Sequence, residues 1–327
     1  MSKINKVQNI LLLMFTFIGL VSCSTDDGGV DPATNTIAEI VANSPDLSML
    51  QAALERADLE SSLQASGSMT LLAPTNAAFT IFLANAGFAN LDDVPVPVLQ
   101  QLLLNHVIGA RVDESILRAV GKNYTETLAD GPVADTNLAL YFDATGSTII
   151  LNGTSEVEEA DVPATNGLIH VVDAVLDFPT LATFVQANDA FEQLTLALTT
   201  ATPGTNFMTT LSGTANYTLF APPDSAFEEL LDSNAAWTTV DDIDEALLTS
   251  VLEHHLINGA VVSADISDNE TATSLEGDLL TFSTSDGEID ITDGSGNADI
   301  TVAVGDIIAV NGVLHAVNKV MLPDTTN

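Results

Sequence analysis

Three motifs recur along the 327-residue chain, in the same order and at offsets of about 145 to 149 residues. Leu71–Phe79 (LLAPTNAAF) returns as Leu219–Phe227 (LFAPPDSAF). Leu104–Ala110 (LNHVIGA) returns as Glu253–Ala260 (EHHLINGA), so that His106 is answered by His255. Asn166–Leu176 (NGLIHVVDAVL) returns as Asn311–Met321 (NGVLHAVNKVM), with His170 answered by His315. A chain with such a period must bury two equivalent cores. At about 150 residues per domain, the length holds two domains and little else.

Each copy predicts helices first and strands second. Copy one opens on Thr36-Ile37-Ala38-Glu39, a capping-box pattern with Ile37, Ile40 and Val41 on one helical face. Asp46 is placed to cap a second helix carrying Leu47, Leu50 and Leu54. Thr70–Ala73 is a short apolar strand stopped by Pro74, after which Thr75 and Asn76 can cap a helix that buries Phe79 and Phe82. In copy two the turn is Pro222-Pro223-Asp224, with Asp224 placed to cap the helix of Phe227 and Leu230. Helices around Val98–His106 and Glu245–His255 are expected to stop near Gly109 and Gly259, through a left-handed residue. Strand alternation follows at Ile149–Leu151 and Leu168–Leu176 in copy one. In copy two it follows at Leu279–Phe282, Ile289–Ile291, Ile300–Val304 and Val313–Met321. The class is therefore α+β. Copy one ends near Phe178-Pro179 and copy two begins near Thr180, so the domains should hold a restricted mutual orientation.

The motifs resemble the fasciclin domain, an adhesion and extracellular-matrix module also found in bacterial secreted proteins and lipoproteins. Its first signature, an apolar pair, Ala-Pro, a polar step and Ala-Phe, is met around Pro74 and, with Pro223 in the polar step, around Pro222. Its second, a His followed by aliphatics and Gly, is met at His106 and His255. Its closing Asn-Gly-aliphatic-aliphatic-His is met at Asn166–His170 and Asn311–His315. The resemblance implies two tandem domains, residues 36–178 and 179–323, each a β-wedge flanked by N-terminal helices. It also implies an adhesive or scaffolding role without catalytic machinery. In animal adhesion members a Tyr often precedes the second-signature His and has been tied to receptor binding; here Asn105 and His254 stand there, so that role is not carried over.

Ahead of the repeat, Lys3 and Lys6 precede an apolar run, Ile10–Val21. Twelve residues rise about 18 Å as a helix, short of the roughly 30 Å hydrocarbon core, which marks the run as the middle of a signal peptide spanning residues 1–22. Leu20-Val21-Ser22-Cys23 resembles the bacterial lipoprotein signal, which implies a lipidated Cys23, the one cysteine of the chain, as the membrane anchor. Residues 23–35 (CSTDDGGVDPATN) are a flexible acidic tether and 324–327 a tail. Asp26-Asp27 resembles the acidic signal by which some Gram-negative lipoproteins reach the outer face; a solvated linker accounts for it equally. The expected location is the bacterial envelope, at the outer membrane, on its periplasmic face or on the cell surface.

Charge narrows the partners. Forty-five Asp and Glu stand against seven Lys and Arg, a formal −38, which opposes binding to phosphate backbones, so no nucleic-acid partner is expected. One cysteine allows neither an internal disulfide nor a thiolate zinc cage. The repeated histidines His106, His170, His255 and His315 sit beside aliphatic residues at element ends, where a ring packs and hydrogen-bonds to the backbone. His254 points elsewhere on its helix and lacks the four-residue spacing of paired ligands. No His-Glu-x-x-His, Gly-x-Ser-x-Gly or Gly-Lys-Ser/Thr phosphate loop occurs, so no catalytic residue, cofactor or metal is assigned. Within Asp286–Asp299, Glu288 and Asp290 share one strand face, and Asp293 and Asp299 flank a Gly-rich turn. Such oxygens suit Ca²⁺, although the spacing is not that of an EF-hand and solvated strands show the same alternation. One Trp and three Tyr leave few platforms for a sugar cleft. Two readings of the acidity stay open, solubility in salty water or a face for a cationic partner. The leading functional expectation is adhesion or envelope scaffolding, with recognition of an extracellular polysaccharide as the alternative and an enzyme as a remote third.

Overall fold

A computed structural model describes residues 33–324. The expected signal peptide, Cys23, most of the expected tether and the last three residues of the expected tail lie outside the described residues. The first domain runs α1 (Ile37–Asn43), α2 (Ser48–Arg56), α3 (Glu60–Gln64), β1 (Met69–Pro74), α4 (Asn76–Ala86), α5 (Val96–Leu104), β2 (Val107–Ile108) and α6 (Glu114–Val120). It continues through β3 (Lys122–Asp130), β4 (Asn137–Asp143), β5 (Ile150–Leu151), β6 (Ser155–Ala164) and β7 (Gly167–Val172). The second runs α7 (Leu181–Ala187), α8 (Glu192–Leu198), α9 (Phe207–Leu211), β8 (Tyr217–Ala221), α10 (Asp224–Asp232) and α11 (Glu245–His254). Its strands are β9 (Leu256–Asn258), β10 (Thr271–Thr273), β11 (Leu279–Ser285), β12 (Glu288–Thr292), β13 (Ile300–Ala309) and β14 (Gly312–Val317). Among the described residues, no helix is long and apolar enough to cross a membrane.

The two sheets repeat one topology, β2-β1-β7-β6-β5-β4-β3 and β9-β8-β14-β13-β12-β11-β10. All pairings are antiparallel except β1 with β7 and β8 with β14. Those parallel pairs tie the opening strand of each domain to its last and so close the domain on itself. Gly167 and Gly312 make the approach possible: a Cβ at either would lie 2.0 Å from the carbonyl oxygen of Met69 or Tyr217. Each sheet separates a helical core, built in domain one around Ile37, Leu50, Phe79 and Leu99, from a β-side core around Leu140, Phe142 and Leu151.

Local chemistry explains the helix starts. The Thr36 hydroxyl accepts from the Glu39 amide at 3.3 Å and the Glu39 carboxylate accepts from the Thr36 amide at 2.8 Å, a closed capping box. Thr180 and Thr183 repeat it for α7, and Thr75 caps α4. Three expectations are corrected. Asp46 lies in a 3-10 turn and does not cap α2; the Met49 amide is satisfied at 2.8 Å by Asn76 from the far side of β1. Asp224 likewise leaves its own helix uncapped and accepts from the Gln193 amide of α8 at 2.8 Å. Asn76 and Asp224 thus pin the second helix of each domain to the fourth. Finally, α5 and α11 end on right-handed Asn105 and His255, and Gly259, although its φ is 96°, lies beyond β9 and does not end the helix. The Thr70 hydroxyl donates to the Ala110 carbonyl and the Thr218 hydroxyl to that of Gly259, so Gly259 answers Ala110 and not Gly109.

The domains are packed together. Ala139 and Tyr141 of β4 join the helical core of domain two. The Tyr124 and Tyr141 rings lie 5.1 Å apart, and Tyr124 meets Phe184 of α7 edge-on at 5.5 Å. Asn188 donates to the Tyr124 hydroxyl at 3.0 Å and accepts from that of Tyr141 at 3.4 Å. Lys122 reaches across to Asp189. Beside this, Leu138 packs with Val262 and Ile308 in a smaller shared cluster. Each aromatic pair is worth about 0.5–1.5 kcal/mol beyond its buried area, whereas the partly exposed ion pair adds about 1 kcal/mol at most. Apolar contact therefore sets the orientation.

Candidate functional site

Four of the five histidines form two brackets in each domain. At the end of α5, His106 donates from Nδ1 to the Leu102 carbonyl at 2.7 Å and accepts at Nε2 from the Leu176 amide at 2.9 Å. His255 repeats both bonds with Val251 and Met321 at the same distances. The carbonyl demands a donor and the amide an acceptor, so each ring is held as the neutral Nδ1–H tautomer. Burial draws both pKa values down to about 4, only partly opposed by the carbonyl bond. His170 uses the other tautomer: Nε2 donates to the Val112 carbonyl at 2.9 Å and Nδ1 accepts from the Asp161 amide at 3.1 Å. His315 does the same with Val261 and Asp306, at 2.9 and 3.2 Å. Asp161 and Asp306 hold left-handed backbone (φ 61° and 59°) at bulges in β6 and β13, which turns their amides toward the rings.

The asparagines of the closing motif are clamps. Asn166 accepts from the Ile37 amide at 2.9 Å and donates to the carbonyls of Leu63 and Ala65 at 2.7 and 3.0 Å. Asn311 makes the same three bonds to Leu181, Leu211 and Gly213. One side chain thereby fastens the first helix and the end of the third to the last hairpin. Pro74 ends β1 opposite Val172, and Pro222 is buried just past β8. Every repeated motif residue thus serves the fold. Both ring nitrogens of each histidine are occupied, so proton transfer or ligation there would first break a bracket.

The sequence reading missed one gathering. His254, fully buried, comes within 3.7 Å of Glu276, and its ligand atoms cluster with those of Glu276 and Asp278. Nδ1 also lies 3.2 Å from the Ser274 hydroxyl, and Nε2 accepts from the Gly294 amide at 3.1 Å. That amide requires the lone pair on Nε2, so Nδ1 carries the hydrogen. A metal on Nδ1 would force an N–H onto Nε2 against the Gly294 N–H. Burial lowers the His254 pKa, opposed by the charges of Asp293, Glu276 and Asp278, so the ring is neutral and the contact with Glu276 is no ion pair at neutral pH. In domain one the place belongs to Asn105, which donates to the carbonyls of Leu176 and Asp177 and accepts from Thr127. No sequence spacing could signal the cluster, because a short hairpin between β10 and β11 brings Glu276 and Asp278 to the helix end.

The acidic strand near Asp286–Asp299 offers no converging set of open oxygens. Asp290 accepts from Thr301, and Asp299 is bound to Lys319. Asp293 is saturated by the Ser295 hydroxyl, the amide and side chain of Asn297 and the Leu322 amide. Its role is to fold the Gly-rich turn and fasten the end of the chain to it.

The family model for the fasciclin domain matches twice, over residues 45–179 and 177–323. The chain is 27% identical over 271 residues to the transforming growth factor-beta-induced protein ig-h3 of Sus scrofa, and 25% identical over 273 residues to human periostin. Each match takes 82% of this chain, which spans about a third of those relatives, 36% and 30% of their lengths. A fasciclin-like arabinogalactan protein, elcF of Phaeosphaeria nodorum, is 24% identical over 89% of this chain and 90% of its own. Among solved structures, a domain pair from the insect cell adhesion molecule Fasciclin I superposes with a TM-score of 0.53 at 18% identity, covering 85% of this chain and 97% of that one. The matched regions, the shared pair architecture and the twice-built brackets agree, and the chain belongs to the fasciclin domain family.

Proposed function

We propose that the chain is a lipid-anchored bacterial envelope protein whose fasciclin pair acts in adhesion or envelope scaffolding and transforms no substrate. The observation that carries this reading is that every motif residue repeated in both domains is used inside the fold. What remains for function is the surface of a packed pair. A relative described as a cell adhesion molecule shares that pair architecture. Cys23 is read as the lipid attachment point, with residues 24–35 standing the pair off the bilayer by at most about 40 Å.

Deletion of residues 36–323 is expected to lower attachment or envelope association in a cell-adhesion assay, with no loss of a measurable turnover. Unchanged attachment would sink the proposal. The anchor is tested separately. Cys23→Ala should move the protein from the membrane fraction to the soluble fraction, and surface proteolysis of intact cells reads which side of the outer membrane it occupies.

A further inference from the structure

The surface of domain two carries an apolar groove of about 240 Å3 between α10, α11 and the end of the chain. Leu230, Trp237, Ile243, Leu247, Val251 and Leu322 form its walls, and Ser233 and Ser295 stand at exposed positions on its edge. Its volume is below the roughly 300–1,000 Å3 that encloses a drug-sized molecule, and suits one bulky side chain. Asp232 precedes the lining Ser233, and Asp242 and Asp244 flank the lining Ile243; all three are exposed. Asp242 accepts from Thr238 and Thr239 and Asp244 caps α11, so both carboxylates are fixed beside the groove. Those contacts hold Asp242 below the usual carboxylate range, which keeps its charge. The one basic side chain of domain two, Lys319, is already bound to Glu229 and Asp299. Lys319 is thus already neutralised by two carboxylates, and the exposed Asp232, Asp242 and Asp244 leave the surroundings of the groove net negative.

We propose that this groove docks a cationic protein segment, one apolar side chain entering between Trp237 and Leu247 while flanking Lys or Arg residues meet Asp232, Asp242 and Asp244. A second copy of this chain fits poorly, since it would bring the same negative surface to the same place. The proposal rests on the reading that the chain works by presenting surface, and it names the chemistry of the partner. Buried anchors ringed by charge are the usual way such patches gain both affinity and selectivity.

Trp237 is the single tryptophan, so its emission reports the groove directly. The full chain is titrated with three pentapeptide probes, Lys-Lys-Phe-Lys-Lys, Lys-Lys-Ala-Lys-Lys and Glu-Glu-Phe-Glu-Glu. The first should shift the emission to the blue and the second should bind roughly tenfold more weakly; the third should leave the emission unchanged. Raising NaCl from about 0.05 M to about 0.5 M should weaken the first at least about tenfold. Ser233→Phe, which fills the groove from its exposed edge, and Asp232→Lys should each reduce binding to the level of the alanine peptide. Equal binding of the first two probes, or full binding by Ser233→Phe, would overturn the proposal. So would an emission shift on concentrating the protein alone, the mark of a second copy in the groove. If the peptides fail while deletion of residues 36–323 still abolishes attachment, the groove proposal falls and the adhesive reading stands.

Discussion

His106 and His255 each hold a neutral ring between a carbonyl and an amide, and this sets a pH dependence. Their folded pKa values, about 4, lie below the ordinary 6.5, so the unfolded chain binds more protons between those limits. Their contribution is complete above about pH 6.5 and is lost as pH falls toward 4, at about 3 kcal/mol per ring. The urea midpoint should fall between pH 7 and pH 5, where most carboxylates are still ionised; a flat profile there would contradict the bracket. At Asn166, alanine strips two buried bonds and one half-buried one and leaves an amide and two carbonyls unmatched, so Asn166→Ala should cost about 2–4 kcal/mol in chemical denaturation. Asn311→Ala should cost the same in domain two. These residues were visible in the sequence as repeated motif positions. Their partners were not, because the Ile37 amide is 129 positions from Asn166.

At the scale of elements, the strands that periodicity missed share a cause. β4 is buried along nearly its whole length, so its apolar run does not alternate. β6 (SEVEEADVPA) carries acids and Pro163 within a bulged strand, a composition that argues against a strand when taken alone. Tertiary pairing overrides both signals. The apolar run Leu168–Leu176 outlasts its strand for the opposite reason: β7 ends at Val172, and the apolar residues beyond it belong to the segment bracketed by His106. Gly167→Ala tests the parallel closure. Its Cβ would meet the Met69 carbonyl and part β1 from β7, at a cost of at least about 3 kcal/mol, read as lost amide protection in both strands by hydrogen exchange.

For the whole molecule, the interface is one-sided. Tyr124 and Tyr141 are paired across β3 and β4, and the corresponding pair in domain two, across β10 and β11, is Thr271 with Thr281. The aromatic face therefore occurs only on domain one, where α7 covers it. Replacing both tyrosines by threonine should leave each domain folded and release their mutual orientation, seen as a larger radius of gyration in small-angle scattering. An unchanged radius would show that the Leu138–Ile308 cluster suffices. The net charge makes a separate forecast. Raising NaCl from about 0.1 M to about 1 M shortens the screening length from about 10 Å to about 3 Å, so thermal stability should rise with salt. The rise should be larger for domain two, whose one basic residue is Lys319. A melting temperature indifferent to salt would remove self-repulsion as a factor.

From the order of its residues alone, the chain was committed to two like α+β domains, to the capped first helix of copy one and to the apolar faces that its helices bury. Those features depend on local periodicity, turn chemistry and the repeat, which act within a few residues or within one copy. Which carbonyl each histidine meets, which helix Asn76 and Asp224 cap, and how His254 gathers two acids were decided only on folding. So were the one-sided interface and the Trp237 groove. Each depends on atoms brought together from distant parts of the chain, where geometry, and not spacing, determines what touches.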